Sequence, residues 1–225
     1  MSNSVAIVTG ASSGIGRATA LRLAHEFGAI VLVARSEEKL GEVGQQAKAI
    51  GAEALVLELD LMAPRSAEFV VKETLDRFGR IDALVNIAGA VAGLDVFQMT
   101  DEQWNTGMEL KFHGARRLTI RAWDALRESK GTVVFISGNA AVIPRAGAAA
   151  VGAINAAIEA LGKAFAERGI EDGVQVNSVS PGAVMTGRRL SMLERAAALR
   201  RSRSKTPSSS SSSRPALPAS VKRKR

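Results

Sequence analysis

The chain has no cysteine and no tyrosine, only two histidines, and 4% aromatic residues among 225. Without cysteine there is no disulfide, no thiolate nucleophile and no sulfur-ligated zinc. The two scattered histidines, His25 and His113, make a histidine-based metal site a poor expectation and read as ordinary packing or surface residues. Without tyrosine, no phenol is available anywhere as an acid or base. No apolar run approaches the roughly eighteen residues that a bilayer span requires, and Met1 leads straight into strand-like Val5-Ala6-Ile7-Val8 without a basic leader. These absences point to a cytoplasmic protein with no membrane partner and no metal.

What remains is apolar enough to fold: 46% of residues are hydrophobic and the mean hydropathy is +0.07. A chain of this length suits one domain with a well-buried core. The net charge of +8 is unevenly spread. Residues 187–225 carry 12 Lys/Arg against the single acid Glu194, whereas residues 1–186 carry 18 Lys/Arg against 21 Asp/Glu. The folded part is therefore mildly acidic, and any attraction to nucleic acid belongs to the tail alone.

Between Val5 and about Val184, short β-branched apolar runs alternate with stretches of helical period. The runs predict strands at Val5–Thr9, Ala29–Ala34, Ala54–Leu59, Ala83–Asn86, Gly131–Ser137 and Val174–Val179. Helices are predicted over Arg17–Phe27, Glu37–Ile50, Pro64–Phe78, Asp101–Ser129 and Ala149–Arg168. Strands apolar throughout need cover on both faces, so the expected fold is α/β: a Rossmann-like, doubly wound parallel sheet with helices on each side.

The segment Thr9-Gly10-Ala11-Ser12-Ser13-Gly14-Ile15-Gly16 joins the first strand to the first helix. In a dinucleotide-binding turn, Gly10 permits the tight bend, Gly14 lets a pyrophosphate approach the backbone, and Gly16 lets helix and strand pack closely. Amides at the helix N-terminus then face the phosphates. At the end of the second strand stands Ala34-Arg35, where an acid would accept from the ribose 2′-hydroxyl of NAD. A guanidinium there, with no carboxylate, favours the 2′-phosphate of NADP(H) over NAD(H), unless Arg35 is merely one more residue of the charged surface run Ser36–Lys39.

The spacing Gly10, three residues, Gly14-Ile15-Gly16 resembles the signature of the short-chain dehydrogenase/reductase family. Three more segments resemble it in the right order: Asp60 after the third strand, Asn86-Ile87-Ala88-Gly89 after the fourth, with Ile87 replacing an asparagine, and Pro181-Gly182 followed by Thr186 after the sixth. The resemblance covers roughly residues 4–187. It implies a cofactor site made by Gly10, Ser12, Ser13, Gly14, Ile15, Gly16, Arg35, Asp60, Asn86, Ala88, Gly89, Pro181, Gly182 and Thr186, and hydride transfer involving a small carbonyl compound or secondary alcohol.

Members of that family use a tyrosine as acid/base, a lysine four residues later that lowers its pKa, a serine that bonds the substrate oxygen, and an asparagine that supports a proton-relay water. The corresponding positions here hold Val151, Asn155, Gly138 and Lys111. Ser137 beside Gly138 reads as a strand-end or turn residue, and could stand in for the serine only if the loop is shifted. Lys111 reads first as a solvated or ion-paired helix residue, and second as a replacement acid/base. The resemblance therefore implies a weak or inactive oxidoreductase, with a non-catalytic cofactor-binding sensor or supporting subunit as the alternative.

Beyond Gly187 the texture changes to a low-complexity Ser/Arg-rich tail, residues 188–225, expected to be disordered apart from a short helix at Ser191–Arg200. It reads either as a natural basic extension, able to attract nucleic-acid phosphates, or as an altered reading frame. The family's seventh strand is not visible in it, which puts the family's usual homo-oligomer in doubt.

Overall fold

The computed structural model describes residues 3–204. Six strands form one parallel sheet: β1 (Val5–Thr9), β2 (Ala29–Ala34), β3 (Glu53–Glu58), β4 (Ala83–Asn86), β5 (Thr132–Ile136) and β6 (Gln175–Val179), in spatial order β3-β2-β1-β4-β5-β6. The order reverses between β1 and β4, which is the switch point at which such sheets open a crevice beyond their strand ends. Six α-helices of the same unit accompany it among the described residues: α1 (Gly14–Leu23), α2 (Glu37–Ile50), α3 (Ser66–Phe78), α4 (Asp101–Gly107), α5 (Ala115–Ser129) and α6 (Ala149–Asp172); a further helix, α7 (Gly187–Ser204), starts the tail.

Strand side chains alternate, so the inner strands feed two cores. Val5, Ile7, Val31, Val33, Leu84 and Phe135 pack with α3, α5 and α6, whereas Ala6, Val8, Ile30 and Leu32 pack with α1 and α2. Full burial of each larger side chain contributes about 1.5–3 kcal/mol. The expected cover on both faces is incomplete at the two edge strands: in β3 Leu57 alone is fully buried, and in β6, made of Gln, Val, Asn, Ser and Val, Val176 alone. Glycines in left-handed geometry, Gly51, Gly79 and Gly173, end α2, α3 and α6.

Three expectations about the helices are corrected. The first begins at Gly14 rather than Arg17, because the end of the glycine turn is already helical. The helix at Ala149 runs to Asp172, stopping only at Gly173. The long helix expected over 101–129 is interrupted by a π-helical stretch, Met108–Gly114. Glycines stand just before it and at its end in close contacts: a Cβ on Gly107 would lie 2.9 Å from Ile154 Cδ1, the end of a side chain, and one on Gly114 would lie 3.2 Å from the Leu61 carbonyl oxygen. The wider turn carries Lys111.

By length and composition α6 is apolar enough to cross a bilayer, but it packs as a core helix, with Ala150, Ile154, Asn155 and Ile158 buried. The chain falls into two compact units, residues 1–187 and 188–225. The helix at the start of the tail is longer than Ser191–Arg200, occupying Gly187–Ser204. The disorder expected of residues 205–225 lies outside the described residues.

Candidate active site

The turn after β1 is built by steric exclusion. Gly10 has φ +65°, and a Cβ there would stand 3.1 Å from the backbone of Ala88. Gly16 faces the Gly10 carbonyl so closely that a Cβ would fall 2.1 Å from its oxygen. Gly14, at φ +56°, opens α1 with Ile15, and the methyl of Thr186 lies 3.3 Å from where its Cβ would be. Ser13 is the N-cap of α1 yet makes no side-chain cap bond, and the first turn carries no acid. The helix thus presents backbone donors and positive dipole, undiluted by its own side chains, which suits an anionic pyrophosphate. Ser12 and Ser13 lie at the outer side of this turn, half-buried and exposed.

Thr9 ties that turn to the loop after β4. Its hydroxyl accepts from the amides of Ile87 (2.9 Å) and Ala88 (3.0 Å) and donates to the Val85 carbonyl. Asn86 is buried, with Nδ2 donating to Thr119 Oγ1 at 3.1 Å and Oδ1 lacking a partner among the described residues. On the other side of the switch, Arg35 is exposed in the turn between β2 and α2. Asp60 follows β3, its carboxylate accepting from the Met62 amide at 3.0 Å. The adenine-side and nicotinamide-side residues of the sequence reading thus lie on the two sides of the Gly10 turn.

Over β4 and β5, three of the four positions read as catalytic, Lys111, Gly138 and Asn155, come together, and Val151 stands one turn before Asn155 on α6. The Lys111 stem crosses Gly89, whose Cβ would lie 3.0 Å from Lys111 Cδ. Lys111 Nζ donates to Asn155 Oδ1 and, at 3.2 Å, to the Ser137 carbonyl. Of the two expectations for Lys111, a solvated or an ion-paired helix residue, the solvated one is corrected: it is half-buried and bonded across 44 residues to α6. Gly138 is extended, and a Cβ on it would stand 2.8 Å from Asn155 Nδ2. Val151, half-buried, packs with Val91, Ala150, Ile154, Met99 and Trp104.

Ser137 is buried, and its hydroxyl is shared between the Asn155 carbonyl (3.1 Å) and Glu159 Oε1 (2.9 Å). It stands at the end of β5, its amide donating to the Val179 carbonyl at 2.9 Å, as a strand-end residue does. Glu159 and Ser180, which bond to each other, were missed by the sequence reading, although Glu159 stands one helical turn beyond Asn155. Hydrogen bonds from Ser180, then Ser137, hold the Glu159 carboxyl below its ordinary range. A carboxyl depressed by folding stabilises the fold above the ordinary carboxylate range, and that contribution is lost as pH falls through the lowered pKa. Urea unfolding of the unaltered chain and of Glu159→Gln is therefore expected to differ at neutral pH and to converge on acidification. A gap that stays constant down to acid pH contradicts this.

The segment after β6 leads back to the first turn. Pro181 accepts from the Asn139 amide at 3.2 Å, and a groove of about 700 Å³ opens between Pro181–Gly187 and α1, lined by Gly14, Ile15, Val184, Met185 and Thr186. Gly182 has open space around it. His113, in the π-helical stretch, meets Phe112 edge-on and leaves a buried Nδ1 without a partner among the described residues. No cluster of three or more metal-ligating side chains occurs among them.

A crevice at the switch point of a parallel sheet, with a glycine turn at its centre, is the architecture of a Rossmann-type dinucleotide-binding fold. Residues 4–196 match the family model of the short chain dehydrogenases, and the chain belongs to that family. It is 34% identical over 187 residues to an uncharacterized oxidoreductase of Staphylococcus epidermidis, covering 81% of this chain and 78% of that one. It is 30% identical over 183 residues to a 3-oxoacyl-(acyl-carrier-protein) reductase of Staphylococcus aureus, covering 80% and 74%. Among solved structures it resembles L-sorbose reductase from Gluconobacter frateurii in complex with NADPH and L-sorbose, with TM-score 0.84, 30% identity, and coverage of 88% and 76%.

Proposed function

We propose that this chain binds NADP(H) in preference to NAD(H), and that its hydride transfer to or from a carbonyl compound or secondary alcohol is weak or absent. The observation that carries the binding is the steric construction of the Gly10–Gly16 turn against an uncapped α1 N-terminus. A bound nicotinamide dinucleotide supplies the hydride donor or acceptor. Gly10, Ser12, Ser13, Gly14, Ile15 and Gly16 would hold its pyrophosphate, Arg35 and Asp60 its adenosine half, and Asn86, Ala88, Gly89, Pro181, Gly182 and Thr186 its other half. Two relatives of known structure were solved with NADPH or a 5-hydroxy-NADP, which supports the phosphorylated cofactor here.

Weak chemistry follows from the side chains over β4 and β5. Val151 has no proton to give, Gly138 offers no hydroxyl, and Lys111, Ser137 and Asn155 bond to one another. Loss of a positioned acid/base costs about 10²–10⁴-fold in rate. That closed network favours the second reading, a cofactor-binding sensor or supporting subunit in the cytoplasm.

Arg35 carries the cofactor preference. In calorimetric titrations, Arg35→Ala is expected to weaken NADPH binding about 10–100-fold, the worth of a charge-assisted pair, and to leave NADH unchanged. Equal weakening of both dinucleotides would show that Arg35 is not reading the 2′-phosphate.

A further inference from the structure

We infer that the compound this site takes beside the nicotinamide is an uncharged, apolar carbonyl compound or alcohol whose chain or ring lies on an apolar rim formed by three loops. This inference rests on the proposed binding of NADP(H) and names the chemical class of the second ligand.

The rim stands where the crevice opens. Such a crevice lies beyond the carboxyl ends of the strands, and with Arg35 and Asp60 marking the adenosine half toward β2 and β3, the other half extends over β4, β5 and β6. Outside α7, ten large hydrophobic side chains are exposed among the described residues, and six of them follow these strands: Val96 and Phe97 after β4, Val142 and Ile143 after β5, Val184 and Met185 after β6. The other four, Phe69, Ile120, Ile170 and Val179, are scattered over α3, α5, α6 and β6. Phe97 is 96% exposed and Val142 76%. Backbone hydrogen bonds join the three loops: the Val96 amide donates to the Ala146 carbonyl at 3.0 Å, and the Asn139 amide to the Pro181 carbonyl at 3.2 Å. The six side chains thus belong to one tied surface.

The same loops carry almost no charge. Residues 90–99, 138–152 and 180–187 hold one acid, Asp95, and one base, Arg145. Asp95 accepts from the Phe97 amide at 3.1 Å, so its carboxylate fixes the turn that presents Phe97, and Arg145 is exposed. From the same segments, Val91, Met99 and Val151 pack into one apolar cluster. A charged ligand would lose hydration here with no excess of opposite charge to replace it. An apolar ligand removes both its own surface and the rim's from water, and exposed apolar surface grouped beside a crevice is what binding sites are lined with.

The test is a titration of the full chain with NADP⁺ bound, so that no hydride passes to a ketone, using 2-butanone, 2-hexanone and 2-octanone and following the fluorescence of Trp104 and Trp123. Affinity is expected to rise about 2–4-fold with each added methylene, and 2-oxooctanoate is expected to bind more weakly than 2-octanone. Phe97→Ser and Val142→Ser alter side chains too exposed to support the fold, and are expected to flatten this dependence while leaving 2-butanone unchanged. Phe69→Ser, on α3, is expected to keep it. An affinity independent of chain length, or a dependence that both rim variants leave intact, overturns the inference while NADP(H) binding stands. Self-association of the unaltered chain that Phe97→Ser abolishes also overturns it, by giving the rim to a second copy. Failure of the unaltered chain to bind the dinucleotide removes the proposed function and this inference with it.

Discussion

The variant carrying Lys111→Asn, Gly138→Ser, Val151→Tyr and Asn155→Lys is expected to reduce small ketones or aldehydes with NADPH about 10²–10⁴-fold faster than the unaltered chain, the worth of a positioned acid/base. The changes have to be made together. Gly138→Ser alone drives its Cβ to 2.8 Å from Asn155 Nδ2, so a hydroxyl enters only when Asn155 gives way. Asn155→Lys alone sets a second ammonium against Lys111, whose Nζ already lies on that side chain. Lys111→Asn removes this repulsion and returns one cation to the site from α6. Val151 is half-buried at the edge of a small apolar cluster, so a tyrosine there can direct its phenol outward without dismantling the main core. Rates measured over a panel of carbonyl compounds decide the matter. A folded, NADPH-binding quadruple variant no faster than the unaltered chain would mean that the four positions are not what limits its chemistry.

Gly16→Ala is expected to be the most damaging single methyl that can be added to the chain's first turn. Its Cβ would lie 2.1 Å from the Gly10 oxygen and 2.6 Å from the Gly10 carbonyl carbon, both backbone atoms held by the β1–α1 connection. Backbone cannot swing aside as a side chain can, so α1 must move off the sheet. A cost of about 3 kcal/mol follows from overpacking of this kind, which for a domain of this size lowers Tm by about 6–12 °C. NADPH binding is expected to be lost in the same variant, because the displaced amides are the ones that face the phosphates. Gly41→Ala is the control: nothing lies within 4 Å of its Cβ, it sits inside α2, and it is expected to raise stability by about 0.5–1 kcal/mol. Thermal denaturation of the two variants side by side separates steric exclusion from a general intolerance of alanine. Equal melting temperatures would remove the steric account of the turn.

The two kinds of site residue differ in how far the sequence reveals them. β1, β2 and β4 are continuous apolar runs bounded by turn residues, and Gly10, Gly14 and Gly16 sit at a strand-to-helix junction, so local pattern places both the strands and the turn. Lys111 is different. Its helix has ordinary amphipathic period on either side, and seven π-helical residues are too few to change that period visibly. What decides its surroundings is Gly89 and Asn155, residues 22 and 44 positions away. Thr9 likewise looks like the end of an apolar strand until its hydroxyl is found on the amides of Ile87 and Ala88, across 78 and 79 residues. Polar contacts of such separation leave no periodic trace, whereas the families of side chains that build strands and tight turns do.

The most direct test of the account is a calorimetric titration of the unaltered chain with NADPH, repeated with NADH. One saturable site that takes NADPH more tightly is the predicted result, since the glycine turn, the uncapped α1 N-terminus and Arg35 all act in the ground state and need no turnover. Absence of saturable binding by either dinucleotide would contradict it.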